Sequence, residues 1–145
     1  MSEPILERIQ DDTRTAMKAG ERDRVGTLRM IASSLQQDEK EGEGDAVAVL
    51  QRERKKRIEA AEAFESAGRP EQAAAERGEA ALIESYLPEQ ISDEELEAIV
   101  ATAVESTGAT TAKETGKVIG VVMPQVKGRA DGKRVSTMVR ERLGA

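Results

Sequence analysis

The chain has 145 residues, 34% of them charged, a formal net charge of −6, and neither Cys nor His. Disulfides, thiolate and imidazole metal sites, cysteine nucleophiles and the Ser-His-Asp triad are therefore excluded. Phe64 and Tyr86 are the only aromatic residues, too few for base-stacking platforms or an aromatic-rich sheet.

The elements read with helical period from end to end. Pro4 suits a first helical turn. Ile5, Ile9 and Ala16 recur on one side, with Leu6 and Met17 beside them, and Gly20 ends the run. Val25, Leu28, Ile31, Ala32 and Leu35 stripe a second helix. EGEGD at 41–45 breaks the pattern, and Asp45 caps a third helix. That helix carries Val47, Leu50, Ile58 and Ala61 on one face, with Phe64 at its edge, and stops at Gly68. Pro70 opens a fourth helix, which ends near SYLPEQ because Pro88 cannot continue it.

Residues 87 to 91 read as a domain boundary. Ser92 with Glu95 forms the capping-box pattern, followed by Leu96, Ile99, Val100, Ala103 and Val104, with Gly108 as the stop. Thr111 with Glu114 repeats the pattern ahead of Lys117, Val118, Ile119, Val122 and Met123, and Pro124 lies near that helix's end. KGRADG is a loop, and Asp131 caps a last helix through Val135, Met138, Val139 and Leu143. The pattern predicts an all-α protein. A four-helix N-terminal region, 1–88, precedes a small three-helix tail domain, 89–145, whose core relies on packed Val and Ile.

Charge divides unevenly. Residues 1–107 hold 14 Lys and Arg against 25 Asp and Glu, a net of −11, while residues 108–145 hold 8 against 3, a net of +5. Such a tail is the electrostatic footprint of a polyanion-binding surface. The blander explanation is that Arg140 and Arg142 only complement the dipole of the last helix. QRERKKR at 51–57 reads as a solvated helix, with Glu53 paired to Arg57 and Lys55 to Glu59 at i,i+4. Gly116-Lys117 is not a phosphate loop, because Thr111 and Val118 stand where that pattern needs Gly and Ser or Thr. Asp93, Glu94, Glu95 and Glu97 crowd a helix start, where the dipole favours them. No catalytic residue, metal site or cofactor is expected. No apolar run is long enough to span a membrane. MSEPILERIQDD is acidic and lacks a signal-peptide core. A cytoplasmic protein without a membrane partner is expected.

Four segments together, LRMIASSL (28–35), QRERKKRIEAAEAFESAGR (51–69), ESYLPEQISDEEL (84–96) and GKVIGVVMPQVKGRADGKRV (116–135), resemble the YqeY family. That family is similar to the C-terminal helical and tail region of GatB, the B subunit of the bacterial tRNA-dependent amidotransferase. The pattern departs at position 54, where the resemblance leads to an apolar or small residue and this chain has Arg54. The resemblance implies that the tail engages tRNA near its outer corner. The matching positions are Lys117, Lys127, Gly128, Arg129, Gly132 and Lys133, and Arg134 adjoins them in the basic stretch. Glycines there let a backbone approach phosphate, while Lys and Arg supply charge. With so few aromatics, recognition must use duplex shape, 2′-OH and phosphate contacts.

The function so implied is a tRNA-binding accessory protein, linked to the aminoacyl-tRNA amidation machinery. By family association that chemistry is a carbon–nitrogen ligase with glutamine as amido-N-donor. Nothing in the chain resembles the amidotransferase's catalytic cradle, so catalysis by this chain alone is not expected. The alternative is a helical protein-protein interaction module without RNA binding.

Overall fold

The computed structural model describes residues 4–144. Their fold is all-α: α1 (Ile5–Ala19), α2 (Arg22–Glu41), α3 (Ala46–Ser66), α4 (Pro70–Glu84), α5 (Asp93–Thr107), α6 (Thr115–Val122) and α7 (Gly132–Arg142). Short 3-10 turns at Ala112–Glu114 and Met123–Gln125 flank α6. No strand occurs among the described residues. None of their helices is long and apolar enough to cross a membrane. The chain divides into two compact units, Met1–Leu87 and Pro88–Ala145.

The helix ends follow local chemistry. The side chains of Asp45, Ser92 and Asp131 accept from the backbone N–H groups of Ala48, Glu95 and Arg134 at 3.1, 3.1 and 2.8 Å. Each satisfies one of the orphan donors of a first turn. Thr111 and Glu114 form the full reciprocal capping box. Ser92 and Glu95 do not: only the Ser92 half is made, and the Glu95 carboxylate turns to Arg129 instead. Gly20 closes α1 at φ 74°, which lets Glu21 N–H reach back to the Ala16 carbonyl at 3.0 Å. A residue with a Cβ would resist that left-handed turn.

In the first unit α1 pairs with α2, α2 with α3, and α3 most extensively with α4. Ile9, Leu28, Ile31, Leu50 and Ile83 are fully buried at its centre. The buried face of α3 keeps Leu50 and Ala61 of the expected set but is turned from the rest of it. Val47 and Ile58 are only partly buried, while Val49, Leu50, Arg57 and Ala61 point inward.

Arg57 thereby corrects the reading of QRERKKR as a wholly solvated stretch. The Glu53–Arg57 pair is made as expected, at 2.9 Å, but with only 13% and 8% of those side chains exposed. Arg57 Nε also lies 3.9 Å from Glu79 of α4. Ser34 of α2 donates to Glu53 at 2.7 Å, and Thr27 donates to Glu79 at 3.3 Å. A guanidinium enters a helical core when its hydrogen bonds and charge are matched in this way. Arg54 differs: its buried Nε makes no hydrogen bond and has only the charge of Glu84 of α4, 3.6 Å away. Tyr86, just beyond α4, is buried, donates its hydroxyl to Asp12 of α1 and stacks beneath Arg8. Burial, then the Asp12 hydrogen bond and charge, push its phenol well above the ordinary range.

The carboxylates around Arg57 titrate in opposite directions. Burial pushes the Glu53 carboxyl up, but the Ser34 hydrogen bond and the Arg57 and Lys56 charges outweigh it and hold it low. Glu76 is held high by burial and by the charge and hydrogen bond of Glu79, against the pull of Arg57. The stability from Glu53 is present above the ordinary carboxylate pKa and is lost as pH falls through its lowered value. The Glu76 contribution is present below the ordinary value and is lost as pH rises through its raised one. Glu76→Gln is therefore expected to raise Tm at neutral pH by about 2–4 °C, the effect of about 0.5 kcal/mol in a unit this size. The gain should vanish near pH 4, about where a free glutamate titrates. Melting curves across pH check this; an equal change at both pH values would show that Glu79 does not repel Glu76.

The second unit has a core of small aliphatic residues. Leu96 and Val100 of α5, Val118 and Val122 of α6, and Val135 and Val139 of α7 are all fully buried. Val126 and Ala130, in the segment between α6 and α7, are fully buried as well.

Candidate nucleic-acid interface

KGRADG is held, not loose. Gly128 is buried and has φ 81°, so the tight turn needs a residue without a Cβ. The Arg129 N–H donates to the Val126 carbonyl at 2.8 Å, and the Arg129 carbonyl accepts from Ile91 N–H at 2.8 Å. Gln90 Nε2 reaches the Gly128 carbonyl at 3.3 Å. The PEQI stretch before α5 is thus stitched to GR of the loop by backbone chemistry.

The Arg129 side chain completes the stitching. Its Nε points at the Glu89 carbonyl at 3.3 Å, and its two terminal nitrogens grip Glu95 at 3.3 and 3.1 Å. This planar fork on a carboxylate is the strong form of an ion pair. Arg134 pairs with Asp93 at 2.6 Å, and its backbone N–H is taken by the Asp131 cap. The two arginines of the candidate set therefore bind α5 rather than projecting outward. The acids at the start of α5 hold the tail together in addition to suiting the helix dipole.

The other candidates fall in different places. Lys127 is exposed beside the buried Gly128. Gly132 and Lys133 are exposed in the first turn of α7. Lys133 and Arg134 border an open groove of about 450 Å³ between α5 and α7, also lined by Asp93, Glu97, Asp131 and Glu141. Those four carboxylates oppose an approaching phosphate. Lys117 stands apart, exposed in the first turn of α6. Its acidic neighbour Glu114 accepts from the Thr110 and Thr111 N–H groups at 2.6 and 3.1 Å, and those bonds hold its carboxyl low.

Lys113, exposed one helical turn before Lys117, was not in the candidate set. Its four-residue spacing from Lys117 was the signal that marked it. The carboxylate partners of Arg129 and Arg134 had no such signal, since they lie 34 and 41 residues away.

The described residues form an all-helical protein whose C-terminal unit is closed by a turn on the buried Gly128 and the ion-paired Arg129. The chain belongs to the YqeY family: the family model described as Yqey-like protein matches residues 6–143. No curated protein matches the chain.

Proposed function

We propose that this protein binds tRNA through its C-terminal unit and serves tRNA-dependent amidation as an accessory, without catalysing amide transfer by itself. The observation that carries this reading is the net charge of +5 over residues 108–145, with Lys113, Lys117, Lys127 and Lys133 all exposed. Lysines on a small rigid unit supply the phosphate contacts that dominate RNA affinity. The similarity of the YqeY family to the tail of the amidotransferase B subunit supports tRNA as the RNA in question. The four-helix region and the three-helix tail act in this proposal as separate domains, with RNA on the tail.

The test is fluorescence anisotropy of labelled tRNA with the whole protein, between about 50 and 200 mM salt. Three or more phosphate contacts give a slope of log K against log salt of about −2 or steeper. Absence of binding at the low end, or binding indifferent to salt, overturns the proposal. Product formed from glutamine, ATP and mischarged tRNA by this chain alone overturns its accessory role.

A second reading, a protein-interaction module, has its own observation. Met17 of α1 and Met30 of α2 are about half exposed, with Arg29 Nη2 3.4 Å from the Met17 sulfur. Exposed thioethers suit adaptable protein contacts. A protein that ignores tRNA but loses a partner on Met17→Ser and Met30→Ser would establish it.

A further inference from the structure

Two groups of cations in the C-terminal unit stand in different surroundings. Arg129 and Arg134 are matched by Glu95 and Asp93, and Lys133 borders a groove lined by carboxylates. The outward side of α6 has a different character. Val118 and Val122 face the core, so the opposite side of α6 presents Gly116, Lys117 and Gly120, continued by Lys113 and Pro124 in the 3-10 turns that flank it, all exposed. The acid beside that side is Glu114, whose carboxyl the Lys117 charge helps to hold low. Glu114, the nearest acid in sequence, is turned back onto the Thr110 and Thr111 N–H groups.

Packing within the chain does not require the two glycines. Both keep ordinary helical backbone, and a Cβ built on either meets nothing within 4 Å. Glycine is the poorest helix former after proline, and α6 is only 8 residues long. Gly26 and Gly78 are equally bare, but each stands alone in its helix. Among the described helices only α6 has two glycines four residues apart, on either side of Lys117.

We infer that the lysine-bearing outward face of α6, rather than the KGRADG loop, is where the sugar-phosphate backbone of helical RNA docks. This inference rests on the RNA-binding reading above and specifies its surface. A helix without side chains at positions 116 and 120 exposes its cylinder, so a ridge of ribose and phosphate lies directly against it. Lys113 and Lys117 then reach phosphates along one flank. Contact of this kind reads duplex shape and charge, not base edges.

The experiment compares three forms of the whole protein against labelled tRNA and a labelled RNA hairpin across salt. Lys113→Ala with Lys117→Ala removes two phosphate contacts and should flatten the salt slope by about 1.4–1.8 units. Gly120→Gln adds a neutral side chain that favours helix. It should weaken binding about tenfold, as loss of a central contact does, while Tm stays level or rises. That combination separates blocked approach from damage to the fold. If the parent binds RNA and both variants bind like it, the α6 assignment is wrong and the RNA reading stands. If the parent binds neither RNA, both are wrong. If Gly120→Gln lowers Tm, the lysine pair decides alone: an unchanged slope overturns the assignment and a flattened one supports it.

Discussion

Arg57→Ala is expected to cost the N-terminal unit about 3 kcal/mol or more, and to lower its Tm by about 12–25 °C. The magnitude comes from what is left behind. Glu53, with 13% of its side chain exposed, loses its 2.9 Å partner, and Glu79 loses the nearby guanidinium. Glu76, already crowded by Glu79, loses the opposing charge that lowers it. Removing one member of a buried ion pair costs far more than removing both. Arg57→Met together with Glu53→Gln should therefore recover most of the loss. Thermal melts of the single and double variants check this. A single variant that melts within about 4 °C of the parent, the shift of roughly 1 kcal/mol, would show that Arg57 is not a buried charge centre.

The second large effect is expected from Leu96→Ala. Leu96 is fully buried against a core otherwise made of Val, Ala and Ile. Truncating a buried leucine costs about 2–5 kcal/mol, because small neighbours collapse poorly into the space. A unit of roughly 60 residues rarely has more than about 3–5 kcal/mol in hand. Amide cross-peaks of α5–α7 should lose dispersion in an NMR spectrum, and those of α1–α4 should keep theirs. A tail that stays dispersed with an unchanged melt would contradict the core described for it.

The sequence was most informative where interactions are local. Asp45, Ser92, Thr111 and Asp131 cap helices because each needs only an N–H three residues on. Gly20 and Pro70 punctuate for equally local reasons of backbone geometry. Spacing failed where partners are distant. On period alone Arg57 belongs to a solvated charge run, and its burial shows only in the fold, where Glu79 of another helix and Ser34 of a third complete the site that Glu53 begins. Arg129 and Arg134 read as phosphate ligands because nothing nearby in the sequence claims them; α5 does so across the fold. Glu95 shows both sides of this. Its backbone N–H obeys the capping rule, and its carboxylate leaves that rule for a stronger partner.

The stitching of PEQI to the Gly-Arg loop has a consequence for the order in which the chain is made. Gln90 and Gly128 are 38 residues apart, and a ribosome adding about 5–20 residues per second needs about 2–8 s to cover that distance. Until those residues are made, Leu96 and Val100 lack the neighbours that bury them, and Asp93 and Glu95 lack their arginines. No shorter nascent chain can finish the unit, because residues 128 and 129 carry the acceptors that tie down its first segment and α7 supplies Val135 and Val139. The tail therefore closes late and all at once. A released chain truncated before residue 128 should remain sensitive to protease in α5, and the whole chain should not.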